Sequence, residues 1–249
     1  RFSLGVSENF FVSDSTFRHP SVVAPDGLLG LSDELRYEDL KTAYRFGIFP
    51  VNNPSEPILW WSPDPRWILL SGQVFVSKSM RKILRDRPWR ATCDTDFELT
   101  MHRCAEGKGR KDRHPSWITG EYIDVYKMFF LDGRAHSFEV WDHSGVMIGG
   151  LYGVLTGSVF VGESMFSDVS NTSKYAFILA CNFMHELGIE VIDCQMHSEH
   201  LESLGAIPVH RDWFLNYLKW NGFEVSGLMG SWEERFRVFM ESTYGNNAG

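Results

Sequence analysis

The sequence predicts a mixed α/β (α+β) chain: a small N-terminal domain over residues 1–69 and a larger domain with a mixed sheet over residues 70–249. Three observations carry this. Turn formers crowd the first part, in "HPSVVAPDGLLG", "IFPVNNPSEP" and "WSPDPRW". Beyond it, strand patterns alternate with helix patterns, as in sheets with crossover helices. The length of 249 residues suffices for one large core or two smaller ones.

The elements are read in order. "SDELRYEDLKTAYRFG" is the helix of the first part, with Ser32 as expected N-cap, Glu34 and Glu38 loading its first half and Gly47 ending it. "VFVSKSMRKILRDR" reads as a short strand followed by a basic helix. "TGEYIDVYKMFFLDG" is a helix capped near Thr119 and stopped at Gly133. "HSFEVW", "VMIGGLYGVLTG" and "SVFVGES" are strands, the last two joined as a hairpin at Thr156-Gly157. "SNTSKYAFILACNFMHELG" is a helix capped at Ser170 or Asn171 and stopped at Gly188. "EVIDCQ" is a buried strand and "SEHLESLG" a short helix.

Composition excludes several classes. The chain is 43% hydrophobic and 14% aromatic, ordinary for a globular protein. No apolar run approaches the length of a membrane span, and "RFSLGVSENFFVSDSTF" does not read as a signal peptide. Cys93, Cys104, Cys181 and Cys194 form no CxxC pair, so reduced thiols in a cytoplasmic protein are expected. The net charge of −8 argues against a general nucleic-acid binder. Its distribution is uneven: residues 78–114 carry eleven Lys/Arg against six Asp/Glu, or +5, which leaves −13 for the rest. Lys78, Arg81, Lys82 and Arg85 lie on the basic helix of that segment. Such a patch can grip a few phosphates; a solvated surface helix is the competing reading.

The stretch "EVIDCQMHSEH" offers an acid, a thiol, an amide and two histidines. Strand alternation puts Asp193 and Gln195 on one face and Cys194 with Ile192 on the other. Cys194 is therefore expected as a core thiol. A zinc site at His197 and His200 would need another ligand, and no CxxC or HxxxH partner is near, so no metal is expected. What remains is a carboxylate and an amide at the end of a strand, where open α/β sheets place ligands. The pair could hold an amine, or it could cap the next helix or bind a loop; from the pair alone the second reading has the stronger claim. Glu163 in "GESMFS", beside Met165 and Phe166, together with "WWSPDPRW" and Trp117 in "SWIT", adds rings near carboxylates. Each is more often core than site.

Read in order, "PDGLLG", "YRFGIFP", "EPILWWSPDPR", "SWIT", "AHSFEVW", "GGLYG", "GESMFS", "SNTSK", "IDCQ" and "H-L-x-S-L-G-A" resemble the leucyl/phenylalanyl-tRNA–protein transferase family, from about Pro25 to Phe214. The resemblance implies a larger domain of the acetyltransferase-like (GNAT-like) type. It implies transfer of Leu or Phe, with Met as a further donor, from charged tRNA to the α-amine of proteins beginning with Arg or Lys, in the N-end rule degradation pathway. No cofactor is implied. Asp193 and Gln195 are the implied catalytic pair, Gln195 accepting a hydrogen bond from the attacking amine and Asp193 orienting Gln195. Glu163 would pair with the acceptor's basic side chain. Leu151, Phe160 and Phe177 would surround the donor side chain, with Trp60 and Trp117 near the aminoacyl-adenosine. The tRNA would be held mostly by phosphate contacts near its 3′ end, through the basic segment. The partners implied are charged tRNA and acceptor proteins, with no membrane, and a monomer is expected.

Three features depart from the family pattern: Val51 where an aromatic usually follows "GIFP", Asp168 where Arg usually follows "MFS", and a longer, more basic loop in "EGKGRKDRHPSWIT". The implied chemistry is aminolysis of an activated ester. An α-amino group of pKa near 7.7 to 8.0 is already roughly one-tenth neutral at pH 7, so positioning does most of the work. Two other classes stay open. An acyl-CoA-dependent GNAT-like acyltransferase would usually show a Gly-rich pyrophosphate loop where "SDVSNTSK" stands. A non-catalytic binder of basic N-termini would share the acidic pocket but not turn over charged tRNA.

Overall fold

In the computed structural model, residues 9–12, 15–18, 20–23, 25–51, 56–106, 116–221 and 226–245 are described. The N-terminal part contains the antiparallel pair β1 (Asn9–Val12) and β2 (Ser15–Arg18), then β3 (Leu28–Ser32), α1 (Tyr37–Arg45), β4 (Phe49–Val51) and β5 (Ile58–Trp61). The last three strands form a small sheet in the order β3-β5-β4. Ser32 ends β3 and is not the cap of α1. The helix starts five residues later, at Tyr37, and its N-cap residue Arg36 makes no side-chain capping bond. Gly47, at φ 69°, ends it as expected.

A second sheet has seven strands, ordered β12-β6-β11-β10-β9-β8-β7. They are β6 (Arg66–Leu70), β7 (Arg90–Cys93), β8 (Ala135–Trp141), β9 (Met147–Thr156), β10 (Val159–Ser167), β11 (Val191–Gln195) and β12 (Ile207–Val209). The β6 strand spans residue 69 and lies wholly in this sheet. Its helices are α2 (Lys78–Asp86), α3 (Phe97–Glu106), α4 (Gly120–Leu131), α5 (Thr172–Glu186), α6 (Glu199–Glu202), α7 (Arg211–Asn221) and α8 (Glu233–Tyr244). The strand expected at Val74–Val76 is absent: a 3-10 turn, Ser71–Gln73, leads into Ser77, whose hydroxyl accepts from the Met80 amide and caps α2. Val74 and Val76 pack against the core from irregular backbone, so their β-branched pattern reports burial rather than a strand.

Alternation along β9 feeds two of the buried clusters. Tyr152 and Val154 of β9 point into a cluster with α1, α3 and α4, while Leu151 and Leu155 point into one with α5 and α8. The "GGLYG" run is small because other groups occupy its space. A Cβ at Gly149 would lie 2.3 Å from the Thr172 hydroxyl, and one at Gly153 2.3 Å from the Val161 carbonyl oxygen. The β10 and β11 strands run parallel, so the chain must cross over between them, and α5 does this. Eleven of its fifteen residues are buried, as a helix apolar on most faces requires.

Candidate active site

The site opens where two strands part. Parallel pairing of β10 and β11 ends at Val161 opposite Asp193, yet β10 continues to Ser167 and β11 to Gln195. Both strands are irregular there. The β9–β10 register shifts between Gly162 and Ser164, leaving Glu163 as the extra residue. The β11–β6 register shifts between Asp193 and Gln195, and Gln195 takes φ 62°. Strict alternation therefore fails at "DCQ": Asp193, Cys194 and Gln195 all line one cavity. Cys194 is buried in the core cluster with Ile192, as expected, and burial pushes its thiol up, which leaves it a poor nucleophile.

Asp193 is held by Arg66. The guanidinium donates from Nε to Oδ1 at 2.7 Å and from Nη2 to Oδ2 at 2.5 Å, both side chains almost wholly buried. Arg66 also donates to the Gly47 carbonyl at 3.1 Å. Its plane lies between the Phe49 and Phe214 rings, 4.7 Å from each centroid. Asp193 reaches Gln195 through the main chain: the Gln195 amide N–H donates to Oδ1 at 2.9 Å. That bond fixes the left-handed turn that aims the Gln195 side chain.

The Gln195 amide nitrogen donates to Glu163 Oε1 at 3.0 Å. With the nitrogen committed to a carboxylate, the carbonyl oxygen is the end left to accept. Glu163 also accepts from the Tyr44 hydroxyl at 2.7 Å on Oε1 and from Tyr126 at 3.0 Å on Oε2. The two phenol oxygens are 2.5 Å apart. Glu163 as a residue keeps partial solvent access through the cavity, but its carboxyl end is enclosed. Desolvation pushes it up to about 7, against the two phenols that pull it down; Asp193 adds to the rise and Arg66 opposes it.

Behind this polar mouth is a cavity of about 600 Å³. Leu151, Phe160 and Phe177 line it together with Met165, Met184 and Ile192, so three of the expected donor-side residues come together with Asp193, Gln195 and Glu163. Trp60 and Trp117 are elsewhere. Trp60, within β5, is fully buried and donates to the Ser32 hydroxyl at 2.9 Å. Trp117 packs edge-on against Tyr122, 5.3 Å between centroids, and Tyr122 stacks on Tyr126 at 6.3 Å. His197 packs on Trp67 and meets Glu202 at 2.9 Å; His200 lines the cavity, and burial lowers its pKa.

Lys78, Arg81, Lys82 and Arg85 are all exposed and line one shallow groove along α2. Residues 107–115, the basic loop, lie outside the described residues. Asp168 pairs with Arg103 of α3, whose guanidinium also lies 5.3 Å from the Phe166 ring centre, so a cation stands beside the acid at the cavity edge. Val51 ends β4 and its carbonyl accepts from the Trp61 indole at 3.4 Å.

Residues 68–219 match the family described as leucyl/phenylalanyl-tRNA protein transferase, and residues 33–64 match its N-terminal domain. The chain belongs to the leucyl/phenylalanyl-tRNA–protein transferase family. It is an enzyme, an aminoacyltransferase that takes its donor from tRNA and delivers it to protein. The leucyl/phenylalanyl-tRNA–protein transferase of Anaeromyxobacter sp. (strain K) is 41% identical over 220 residues, 88% of this chain and 93% of its own length. That of Shewanella sp. (strain MR-4) is 47% identical over 194 residues, 78% of this chain and 81% of its own. That of Flavobacterium johnsoniae is 41% identical over 210 residues, covering 84% and 98%.

Three residues of this site were missed in the sequence. Arg66 carried a signal, a charge opening the apolar run "RWILL". Tyr44 and Tyr126 carried none beyond their place on the inner faces of α1 and α4.

Proposed function

We propose that the cavity between β10 and β11 binds the Leu or Phe side chain of charged tRNA and that Gln195 and Glu163 receive the acceptor. The observation that carries this is the meeting of an apolar cavity with an amide and a carboxylate at one strand opening. In this reading the Gln195 carbonyl oxygen accepts a hydrogen bond from the attacking α-amine. Asp193 acts as a positioning residue through the Gln195 main chain, with Arg66 keeping it in place. The amine nitrogen forms a bond to the ester carbonyl carbon, the bond to the tRNA 3′ oxygen breaks, and the proton lost by nitrogen ends on that leaving oxygen. In this reading the apolar lining favours the unbranched-at-Cβ side chains of Leu, Phe and Met over Val and Ile.

Glu163 pairs with the Arg or Lys side chain at the acceptor's N-terminus. Three of its roughly four lone-pair positions are taken by Tyr44, Tyr126 and Gln195, so one position, on Oε2, is left for a cation. A single contact suits an ammonium as well as a guanidinium, which supports acceptance of both Lys and Arg. The exposed cations of α2 hold tRNA phosphates. Donor cavity and acceptor carboxylate come from one chain, which supports a monomer. Charged tRNA sets the reaction in the cytoplasm, and the products enter N-end rule degradation. A two-unit division belongs to this reading, and the sheets support a boundary between Trp61 and Arg66.

The test is transfer of labelled Leu from Leu-tRNA to a peptide beginning with Arg, against the same peptide beginning with Ala. Transfer to the Arg peptide about 30-fold to several thousand-fold better in kcat/KM is expected, from about 2 to 5 kcal/mol for a partly desolvated pair. Binding of the Arg peptide without turnover would favour the non-catalytic reading.

A further inference from the structure

Hydrogen atoms around Glu163 do not add up if its carboxyl is ionised. Three oxygen pairs are in hydrogen-bond contact: Tyr44 with Glu163 at 2.7 Å, Tyr126 with Glu163 at 3.0 Å, and Tyr44 with Tyr126 at 2.5 Å. Each phenol has one proton to donate, so two protons serve three contacts. If both phenols donate to Glu163, two phenol oxygens face each other at 2.5 Å with no hydrogen between them. A third proton, on Glu163 itself, closes a ring. Glu163 Oε2 then donates to Tyr126, Tyr126 to Tyr44, and Tyr44 to Oε1. Each phenol oxygen then donates once and accepts once, and the Gln195 amide still donates to Oε1.

We propose that Tyr44 and Tyr126 are positioning residues that hold one shared proton on the Glu163 cluster in the resting enzyme, and that docking of the acceptor's cationic side chain expels it. The proposal rests on the acceptor role given to Glu163 above. The surroundings support it. Tyr44 comes from α1, Tyr126 and Tyr122 from α4, Tyr152 from β9, Asp193 and Gln195 from β11, and Arg66 from β6. Burial keeps the Tyr44 and Tyr126 phenols protonated far above their ordinary range, so neither ionises to supply the third proton. Arg66 is already committed to Asp193, and no other cation among the described residues pairs with Glu163. An incoming ammonium or guanidinium does so. The carboxyl O–H bond breaks, its proton passes to buffer, and the carboxylate stays with the cation; no other bond changes.

The consequence is a linkage between acceptor binding and pH. Below the titration of Glu163 the enzyme must lose a proton to bind, so affinity for an Arg-initiated peptide falls about tenfold for each pH unit there. Glu163→Gln mimics the protonated ring, since its amide nitrogen can donate to Tyr126 while its oxygen accepts from Tyr44 and Gln195.

Titration calorimetry of the wild-type enzyme with an Arg-initiated peptide at pH 6, in buffers of differing ionisation heat, tests this. The same enzyme with an Ala-initiated peptide, which brings an α-amine but no cationic side chain, serves as the reference for protons taken up or lost by the peptide's own α-amine. Release of about one proton in excess of that reference is expected, declining toward zero by pH 8 to 9. Tyr44→Phe and Tyr126→Phe should each displace the pH at which release is half-complete. Wild-type binding with no excess release, or a midpoint indifferent to both phenols, overturns the shared proton. A Glu163→Gln enzyme that keeps the full preference for Arg over Ala peptides overturns instead the acceptor role of Glu163.

Discussion

Asp193→Ala is the perturbation whose cost the structure specifies best. The carboxylate takes two hydrogen bonds from Arg66 and one from the Gln195 main chain, and both ion-pair partners are essentially out of water. Removing one partner of such a pair leaves the other as an uncompensated buried charge, which costs about 3 to 5 kcal/mol. Arg66 cannot escape by moving, because two rings sandwich it and Gly47 holds a third corner. In a chain of this size each kcal/mol moves the melting temperature by about 2 to 4 °C, so a fall on the order of 10 °C is expected. Replacing both partners separates stability from function. Arg66→Met with Asp193→Leu should recover most of the lost stability, since apolar residues of similar volume often match a buried pair. Leu transfer should stay low in that double variant, because the Gln195 turn has lost its anchor. Urea unfolding and a single-turnover transfer assay on the wild type, Asp193→Ala and the double variant give both readings. Unchanged stability in Asp193→Ala, or restored transfer in the double variant, would refute the positioning role.

Three further outcomes follow from the same geometry. Gln195→Ala should lower kcat by about 10- to 100-fold, the loss of one or two transition-state hydrogen bonds, with little effect on urea stability because its side chain makes a single hydrogen bond among the described residues, to Glu163. Neutralising Arg81, Lys82 and Arg85 together should raise KM for charged tRNA and flatten its logarithmic salt dependence by up to about 3; an unchanged slope returns α2 to the solvated-face reading. Glu163 has a folded value of about 7 against an ordinary 4.5, so the folded state holds the extra proton between those pH values. The sign is a penalty: absent below the unfolded value, it grows as pH rises and is complete above about 7. Glu163→Gln should remove it, gaining at most about 3 kcal/mol at pH 8 and little at pH 4, as urea midpoints at the two pH values would show.

The strands and long helices of the larger sheet were legible because their signal is local. Val-, Ile- and Phe-rich runs bounded by Gly wrote β8, β9, β10 and β11 nearly to their ends, and Gly188 stopped α5 two residues after its last turn. Elements set by long-range pairing were not. The β6 strand follows the turn "SPDP" and was read with the N-terminal part. Yet it lies between β11 and β12, because Arg211 of α7 ties that turn down, donating from its guanidinium to the Ser62 carbonyl at 2.6 Å and from its main-chain N–H to the Asp64 carboxylate at 3.1 Å. Ser32 looked like a cap because the residues after it suit a helix, but β5 pairs with it first. The site divided the same way. Leu151, Phe160, Phe177, Glu163, Asp193 and Gln195 sit in strands and a helix whose positions were legible. Arg66, Tyr44 and Tyr126 reach them from sequence separations of 127, 119 and 37 residues, and no local pattern announces such contacts.

The site breaks local rules at neighbouring places. A non-glycine residue stands at φ 62°, two register shifts interrupt adjacent strands, a salt bridge is buried, and a carboxyl sits where ionising it is unfavourable. Each costs stability on the order of 1 to 3 kcal/mol, and in a protein held by about 5 to 15 kcal/mol their coincidence calls for a common cause. A regular strand pair could not supply one. With ideal alternation, Cys194 would separate Asp193 from Gln195 by a full pleat and Glu163 would sit in register against β9. The bulge at Glu163 brings its carboxyl to the opening, and the left-handed turn at Gln195 brings the amide to meet it. Aminolysis by a weakly basic amine needs just such fixed placement and no strong base.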